Sequence, residues 1–158
     1  MDEQAKKTAL RMIPYGLFVL GAGEGQRSTV STVNWVTQAS FAPPLVAVGV
    51  KADSGTFRLI QETQKFAVSV LGTGQKDLAF SFFKHVEPAD GAFSGYPYET
   101  HTTGAPILSG APAWFECAVE SVVEGGDHAL VVGRVVEAGV REQTKPLTLD
   151  ECGVQYGG

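Results

Sequence analysis

A Gly-Asp-His sequence at residues 126–128 places a carboxylate beside an imidazole, between two segments that have the composition of strands. Asp127 can fix the tautomer of the His128 ring, or favour its protonated form and so make the ring a donor to an anionic ligand. A histidine at a tight turn is also commonly no more than a solvated turn residue. Both interpretations of His128 are open from the spacing alone.

The stretch TVNWVTQASFAPPLVAVGV, from Thr32 to Val50, carries a second set of polar groups between two strand-like segments. Backbone N–H and C=O groups, with the side chains of Asn34, Thr37 and Gln38, can hydrogen-bond the edge of a planar heterocycle. The same side chains could instead satisfy only the loop that contains them. The spacing predicts a candidate ligand site without requiring one.

The segment KADSGTF, which ends at Phe57, adds a candidate anion site. Ser54 and Thr56 lie at the start of a predicted helix, where unpaired N–H groups and the helix dipole favour a phosphate. Lys51 can add a charge-assisted contact. The alternative is that Ser54 serves only as a helix cap.

Other chemistries have weaker support. The sequence GAGEG at Gly21–Gly25 lacks the third glycine of a dinucleotide fingerprint, because that position is Gln26, and a strand-like segment follows where the fingerprint requires a helix. No serine lies in a GxSxG motif, which disfavours a hydrolase. The histidines are widely spaced and Cys117 and Cys152 form no CxxC, so we predict no metal site.

The composition is that of a globular chain. The 158 residues predict one domain over residues 1–158. Seventeen acidic residues outnumber twelve basic ones that do not cluster, so a nucleic-acid partner is not expected. No apolar run approaches the roughly 18 residues of a membrane helix, and the cysteines suit a reducing compartment. We expect a cytoplasmic protein that does not bind a membrane.

The periodicity predicts a first helix over Asp2–Ile13 and another over Gln75–Phe83. A short helix through Phe57, Leu59 and Ile60 is predicted with Asp53 or Ser54 as its N-cap. Six segments are predicted strands: Tyr15–Leu20, Arg27–Val36, Leu45–Val50, Lys65–Leu71, Ala113–Val123 and His128–Val140. Turns or loops are predicted at Gly21–Gln26, at Thr37–Pro44 and over the long surface segment Lys84–Leu108. Two antiparallel groups of strands with short helices favour an all-β barrel over a doubly wound sheet.

Several segments together resemble a known family. The chain is similar to the flavin reductase-like FMN-binding split barrels through YGLFVL, NWVTQASFAPPLVAVGV, KFAVSVL, GQKDLAFSFF and ECAVESVVEGGDHALVVGRV. The family includes small NAD(P)H:flavin oxidoreductases and the flavin reductase-like domains of diflavin proteins. The resemblance implies a mainly β fold, a six-stranded antiparallel split β-barrel of Greek-key type with short peripheral helices. It also implies a homodimer with flavin near the interface.

The resemblance assigns roles to particular residues. It implies that one loop holds the ribityl chain and the ring edge of the flavin: Asn34, Trp35, Val36, Thr37, Gln38, Ala39 and Ser40. The phosphate would lie against Lys51, Ser54 and Thr56, and Phe83 and Lys84 would line the pocket. His128 would be the catalytic residue, close to the flavin or the incoming nicotinamide.

The function implied is that of an NAD(P)H-dependent flavin reductase. FMN is the expected flavin, with FAD as the alternative, and NADH or NADPH is the expected donor. A monooxygenase or another redox protein is the expected partner. The sequence Asn-Trp-Val-Thr-Gln at residues 34–38 is closer to the diflavin type, so a non-enzymatic FMN-binding electron carrier is the alternative.

Overall fold

The computed structural model describes residues 1–158, with ten strands and three helices. The helices are α1 (Glu3–Arg11), α2 (Gly55–Thr63) and α3 (Lys76–Phe80). The strands are β1 (Phe18–Glu24), β2 (Arg27–Val33), β3 (Val36–Ser40), β4 (Leu45–Lys51), β5 (Lys65–Val70), β6 (Ala92–Phe93), β7 (Tyr96–Glu99), β8 (Ile107–Leu108), β9 (Ala113–Val123) and β10 (His128–Val140). None of the three helices has the length and apolar character needed to span a bilayer.

Seven strands form one antiparallel sheet in the order β2-β1-β5-β9-β10-β4-β3, and β6, β7 and β8 form a small second sheet. The predicted mainly β, antiparallel fold with few short helices is confirmed. The main sheet has one strand more than the six that the sequence predicted. The additional strand is β3, which lies at one edge.

The two edge strands of this sheet are neighbours in the chain. Only Asn34 and Trp35 separate the end of β2 from the start of β3. Three peptide steps therefore hold the Cα atoms of Val33 and Val36 within about 11 Å of each other. A sheet whose opposite edges are tied so closely must curl.

The composition of the buried core shows that the sheet is curled. Leu20 of β1 and Val48 of β4 belong to the same buried cluster, although β5, β9 and β10 lie between their strands in the sheet. Phe57 and Ile60 of α2 pack into this cluster as well. Helix α2 therefore covers the apolar interior of the curled sheet.

The link between β2 and β3 corrects two sequence predictions. The predicted strand Arg27–Val36 ends at Val33, and the predicted loop Thr37–Pro44 begins with a strand that pairs Thr37 with Ala47 of β4. Exposed polar residues suit an edge strand, which has a neighbour on one side only, while Val36 of β3 packs against the core. Prolines 43 and 44 then end the strand, as expected.

The first hairpin is longer than predicted. Strand β1 continues through the glycine-rich sequence to Glu24, which pairs with Arg27, so the turn contains only Gly25 and Gln26. Gly21 has a specific role in this strand, because a Cβ atom there would lie 1.9 Å from the carbonyl oxygen of Pro106. The absence of a side chain allows the later segment to pack directly on β1.

The segment Lys84–Leu108, predicted to be a surface loop, contains β6, β7 and β8 and is partly buried. Phe93, Ile107 and Leu108 are fully buried. The buried carboxylate of Glu116 accepts hydrogen bonds from the N–H groups of Thr102 (3.0 Å) and Thr103 (2.9 Å) and from the Thr103 hydroxyl. These contacts, invisible to local periodicity, attach the segment to the main sheet.

Two of the predicted helices are present with shorter bounds. The Asp2 side chain caps α1 by accepting a hydrogen bond from the N–H of Ala5 at 3.0 Å. Helix α3 ends at Phe80 instead of Phe83. Residues 81–83 therefore leave the helix and run towards the region described below.

Replacing Gly21 by Ala should destabilise the fold, because the new methyl group collides with backbone rather than with a flexible side chain. We expect the free energy of unfolding in urea to fall by about 1–3 kcal/mol. Gly110→Ala is the matched control, since a Cβ atom at Gly110 meets nothing within 4 Å. Equal stability of the two variants would contradict the close packing of Pro106 on β1.

Burial raises the pKa of the Cys117 thiol from 9.0 to about 12, with a smaller contribution from Glu116. Above pH 9 the thiol ionises in the unfolded chain while it stays protonated in the folded one, so stability falls as pH rises towards 12. Between pH 8.5 and 10.5, the free energy of unfolding in urea should therefore fall more for the native chain than for Cys117→Ala. An identical loss in both would contradict this assignment.

Candidate functional site

A cavity of about 690 Å³ lies where the β2 and β3 edges of the sheet meet. Four parts of the chain line it: the end of β2 with the Asn34–Trp35 link, the end of β4 with the start of α2, the segment 80–85, and the C-terminal residues 149–156. His128, at the start of β10, completes the lining. The cavity therefore collects residues from distant parts of the sequence.

Two buried donors at this cavity have no hydrogen-bond partner. Asn34 is only 8% exposed and its Nδ2 atom is unpaired. The Nε1 atom of Trp35 is likewise buried and unpaired. A buried donor without an acceptor costs roughly 1–3 kcal/mol, so such groups are uncommon unless a ligand or water supplies the acceptor. Asn34 and Trp35 both line the cavity, so a bound ligand is one source of the missing acceptors.

Trp35 is the centre of an aromatic group. Its ring packs on Gly49 of β4, where a Cβ atom would lie 3.0 Å from Trp35 Cε3. The His128 ring lies 4.6 Å and the Tyr156 ring 5.3 Å from the Trp35 ring, centre to centre. This packing gives the cavity an apolar, rigid wall.

The start of α2 forms an end of the cavity suited to an anion. Ser54 caps the helix: its Oγ accepts from the N–H of Phe57 at 3.1 Å and donates to the carbonyl of Lys51 at 2.7 Å. The cap leaves the N–H groups of Gly55 and Thr56 without an acceptor within the helix. The Lys51 ammonium lies 3.8 Å from Asp53 and is largely exposed. The Lys51 charge, which the Asp53 carboxylate partly offsets, and unpaired donors thus meet at one place.

The segment after α3 is attached to β2 by its backbone. The N–H of Thr32 donates to the carbonyl of Phe82 at 2.9 Å, and the Thr29 hydroxyl donates to the carbonyl of Val86 at 2.7 Å. These bonds lie on either side of Phe83 and Lys84 and hold both residues against the cavity.

His128 is paired with Lys51 across β10 and β4, so both residues lie at the same end of the two strands. The Nδ1 atom of His128 lies 2.9 Å from Asp127 Oδ1, and its Nε2 atom lies 2.9 Å from the Tyr156 hydroxyl. The hydrogen bond from His128 holds the pKa of Asp127 below its ordinary value. Asp127 is therefore ionised at neutral pH and orients the ring.

The C-terminal tail, defined here as Val154–Gly157, contributes Val154, Gln155 and Tyr156 to the lining of the cavity. Arg11 of α1 holds it by donating from Nη1 to Gln155 Oε1 at 2.6 Å and from Nε to the carbonyl of Gly157 at 3.1 Å. Helix α1 therefore acts on the site through the tail, although α1 itself has no buried residues.

The structure brings together most of the residues predicted as a site. Eight of them line the cavity: Asn34, Trp35, Lys51, Ser54, Thr56, Phe83, Lys84 and His128. The other five lie on β3 and do not line it: Val36, Thr37, Gln38, Ala39 and Ser40. Pairing with β4 turns these five away along the edge of the sheet.

Several lining residues were not predicted. His85, Leu149, Val154, Gln155 and Tyr156 also line the cavity. The tail residues had no periodicity and no motif, because their positions depend on contacts with Arg11 and His128, which are distant in sequence. His85 directly follows Lys84. It was not predicted because it lies in no motif and is far from the other histidines in the sequence.

The chain is similar to proteins of one known family. Residues 10–157 match the family model described as "Flavin reductase like domain". The whole chain is 33% identical to a flavin reductase of Pseudomonas putida and covers 91% of it. The structure of the Streptomyces globisporus NADH:FAD oxidoreductase, in complex with NAD and FAD fragments, superposes with a TM-score of 0.81 at 30% identity, covering 94% of this chain and 88% of that one.

A styrene monooxygenase flavin reductase from Pseudomonas putida superposes with a TM-score of 0.77 at 33% identity, over 95% of this chain and 94% of that chain. Two relatives from Rhizobium meliloti are longer. The chain spans 42% of a probable flavin reductase and 57% of a stachydrine N-demethylase reductase subunit, at 30% and 31% identity. The family match over most of the chain, the full-length similarity and the shared fold establish that the chain belongs to the flavin reductase-like family.

Proposed function

We propose that this chain is an NAD(P)H-dependent flavin reductase that binds FMN in the cavity between the edges of the sheet. The observation that carries the proposal is the pair of buried, unpaired donors, Asn34 Nδ2 and Trp35 Nε1, at the cavity of a chain in this family. An isoalloxazine ring has carbonyl and ring-nitrogen acceptors along one edge, which such donors require. When bound, the flavin would accept a hydride from the reduced nicotinamide.

The protein's own groups would bind and orient the ring. Trp35, held on Gly49, would supply an apolar surface, and Asn34 would donate to the polar edge. Donors placed where negative charge accumulates on a reduced ring favour its reduction. No acid–base pair is needed for this chemistry, which agrees with the absence of a catalytic dyad motif from the sequence.

The phosphate of FMN would lie at the start of α2, against Lys51, Ser54 and Thr56. The unpaired N–H groups of the first turn and the Lys51 ammonium provide the charge that a phosphate requires. The five residues Val36–Ser40 do not line the cavity of the single subunit. They would contact flavin through their backbone groups, or at an interface where a partner subunit lies near β3.

His128 would stand beside the nicotinamide, at the same strand end as Lys51. We propose that residues 1–158 form one cytoplasmic flavin reductase-like domain that acts as a homodimer. Reduced flavin would pass to a separate oxygenase. That last step is supported by structural relatives named as reductase components of a styrene monooxygenase and of a two-component tryptophan halogenase.

Anaerobic mixing of the FMN-loaded protein with NADH, and separately with NADPH, tests the activity. Loss of oxidised-flavin absorbance should be at least about a hundredfold faster than for free FMN, because the protein holds both reactants in position. Yellow colour that persists with both nucleotides and disappears only with dithionite would contradict a reductase and indicate an electron carrier.

The phosphate site can be tested with FMN and riboflavin, which differ only by the phosphate. Lys51→Ala should weaken FMN binding by about three- to tenfold, because an exposed charge-assisted contact is lost, and should leave riboflavin binding unchanged. Lys65→Ala, an exposed lysine outside the cavity, is the matched control. Equal weakening of both flavins, or of neither, would place the phosphate elsewhere. Titration of flavin fluorescence measures these affinities.

A further inference from the structure

We propose that the Tyr156 hydroxyl is a specificity-determining group of this site: it accepts a hydrogen bond from the carboxamide N–H of the reduced nicotinamide, and His128 and Asp127 hold it in place. The proposal rests on the function proposed above. Under this proposal His128 positions Tyr156, because the His128 Nε2 atom is already hydrogen-bonded to the Tyr156 hydroxyl.

The proton positions follow from the three groups in contact. Asp127 is ionised at neutral pH, since the hydrogen bond from His128 keeps its pKa low, and it can only accept at Oδ1. From the 2.9 Å contact with Asp127 Oδ1 we assign the His128 proton to Nδ1, which leaves Nε2 as an acceptor. The Tyr156 hydroxyl must then donate to Nε2 across the 2.9 Å contact.

These proton positions determine which hydrogen-bonding group Tyr156 presents to a ligand. A hydroxyl that has donated its single proton keeps only acceptor lone pairs, so Tyr156 presents an acceptor where it lines the cavity. A carboxamide N–H is the complementary group. A ligand with a ketone at the same position has no proton to donate and cannot make this bond.

The hydroxyl is also fixed in position. Tyr156 packs edge-on against Trp35, and Arg11 binds the residues on both sides of it, Gln155 and Gly157. These contacts anchor the tail from α1 although the Tyr156 side chain is partly exposed. A group held from two directions loses little further freedom when it binds a ligand, which favours discrimination.

The test compares NADH with the reduced 3-acetylpyridine analogue, in which a methyl ketone replaces the carboxamide. The two probes are mixed anaerobically with the flavin-loaded native protein and with Tyr156→Phe, and the dissociation constant and the limiting rate of flavin reduction are measured. Tyr156→Phe should bind NADH roughly fivefold more weakly, the effect of one neutral hydrogen bond, and bind the analogue as the native protein does. The NADH preference should thus shrink about fivefold.

His128→Ala is a second variant, because it removes the acceptor that orients the hydroxyl and should reduce the same preference with Tyr156 intact. Tyr15→Phe is the matched control: Tyr15 also neighbours Trp35, at 6.5 Å between ring centres, but does not line the cavity. It should keep the full preference for NADH.

The outcomes separate this proposal from the function on which it rests. If NADH reduces the flavin and Tyr156→Phe keeps the native preference, or loses affinity for both probes equally, the Tyr156 assignment is wrong and the reductase function stands. If neither nicotinamide nucleotide reduces the flavin in the native protein, both are overturned. Loss of the preference in Tyr156→Phe and His128→Ala, with Tyr15→Phe unchanged, supports the proposal.

Discussion

The two-residue link between β2 and β3 is the constraint on which the rest of the structure depends. These strands are the opposite edges of a seven-stranded sheet, yet Asn34 and Trp35 alone connect them. The sheet must curl until its edges come together, and the curl lets strands that are not neighbours in the sheet share one core around Leu20 and Val48. Without that tie, the interior covered by α2 would be an open, exposed apolar face.

The same link explains why the site lies where it does. The junction of the two edges buries two polar side chains beside the cavity. Asn34 Nδ2 and Trp35 Nε1 are buried and unpaired there, at a cost to the stability of the empty protein. Functional sites commonly carry such costs, because groups that are satisfied within the fold are not available to a ligand.

The charged and polar groups of the site come from several elements of the fold. The start of α2 and Lys51 favour anions, and His128, which pairs with Lys51 at the same strand end, forms a chain of hydrogen bonds with Asp127 and Tyr156. The Trp35 ring adds an apolar surface on Gly49. This arrangement suits a ligand with a charged end and a flat aromatic end, and it leaves the electron chemistry to the ligand while the protein supplies position and hydrogen bonds.

The sequence by itself determined the antiparallel, mainly β fold and most of the elements, because alternation and β-branched residues are local signals. It also predicted eight of the lining residues, through the polar link, the capped helix, the Gly-Asp-His turn and, for Phe83 and Lys84, the resemblance to the family. Only the tertiary structure decided that β3 is a strand, that Val36–Ser40 lie outside the cavity, and that the segment Lys84–Leu108 is partly core. It alone brought Arg11, Tyr156 and His128 together, since contacts between residues so far apart in the chain leave no trace in local composition or periodicity.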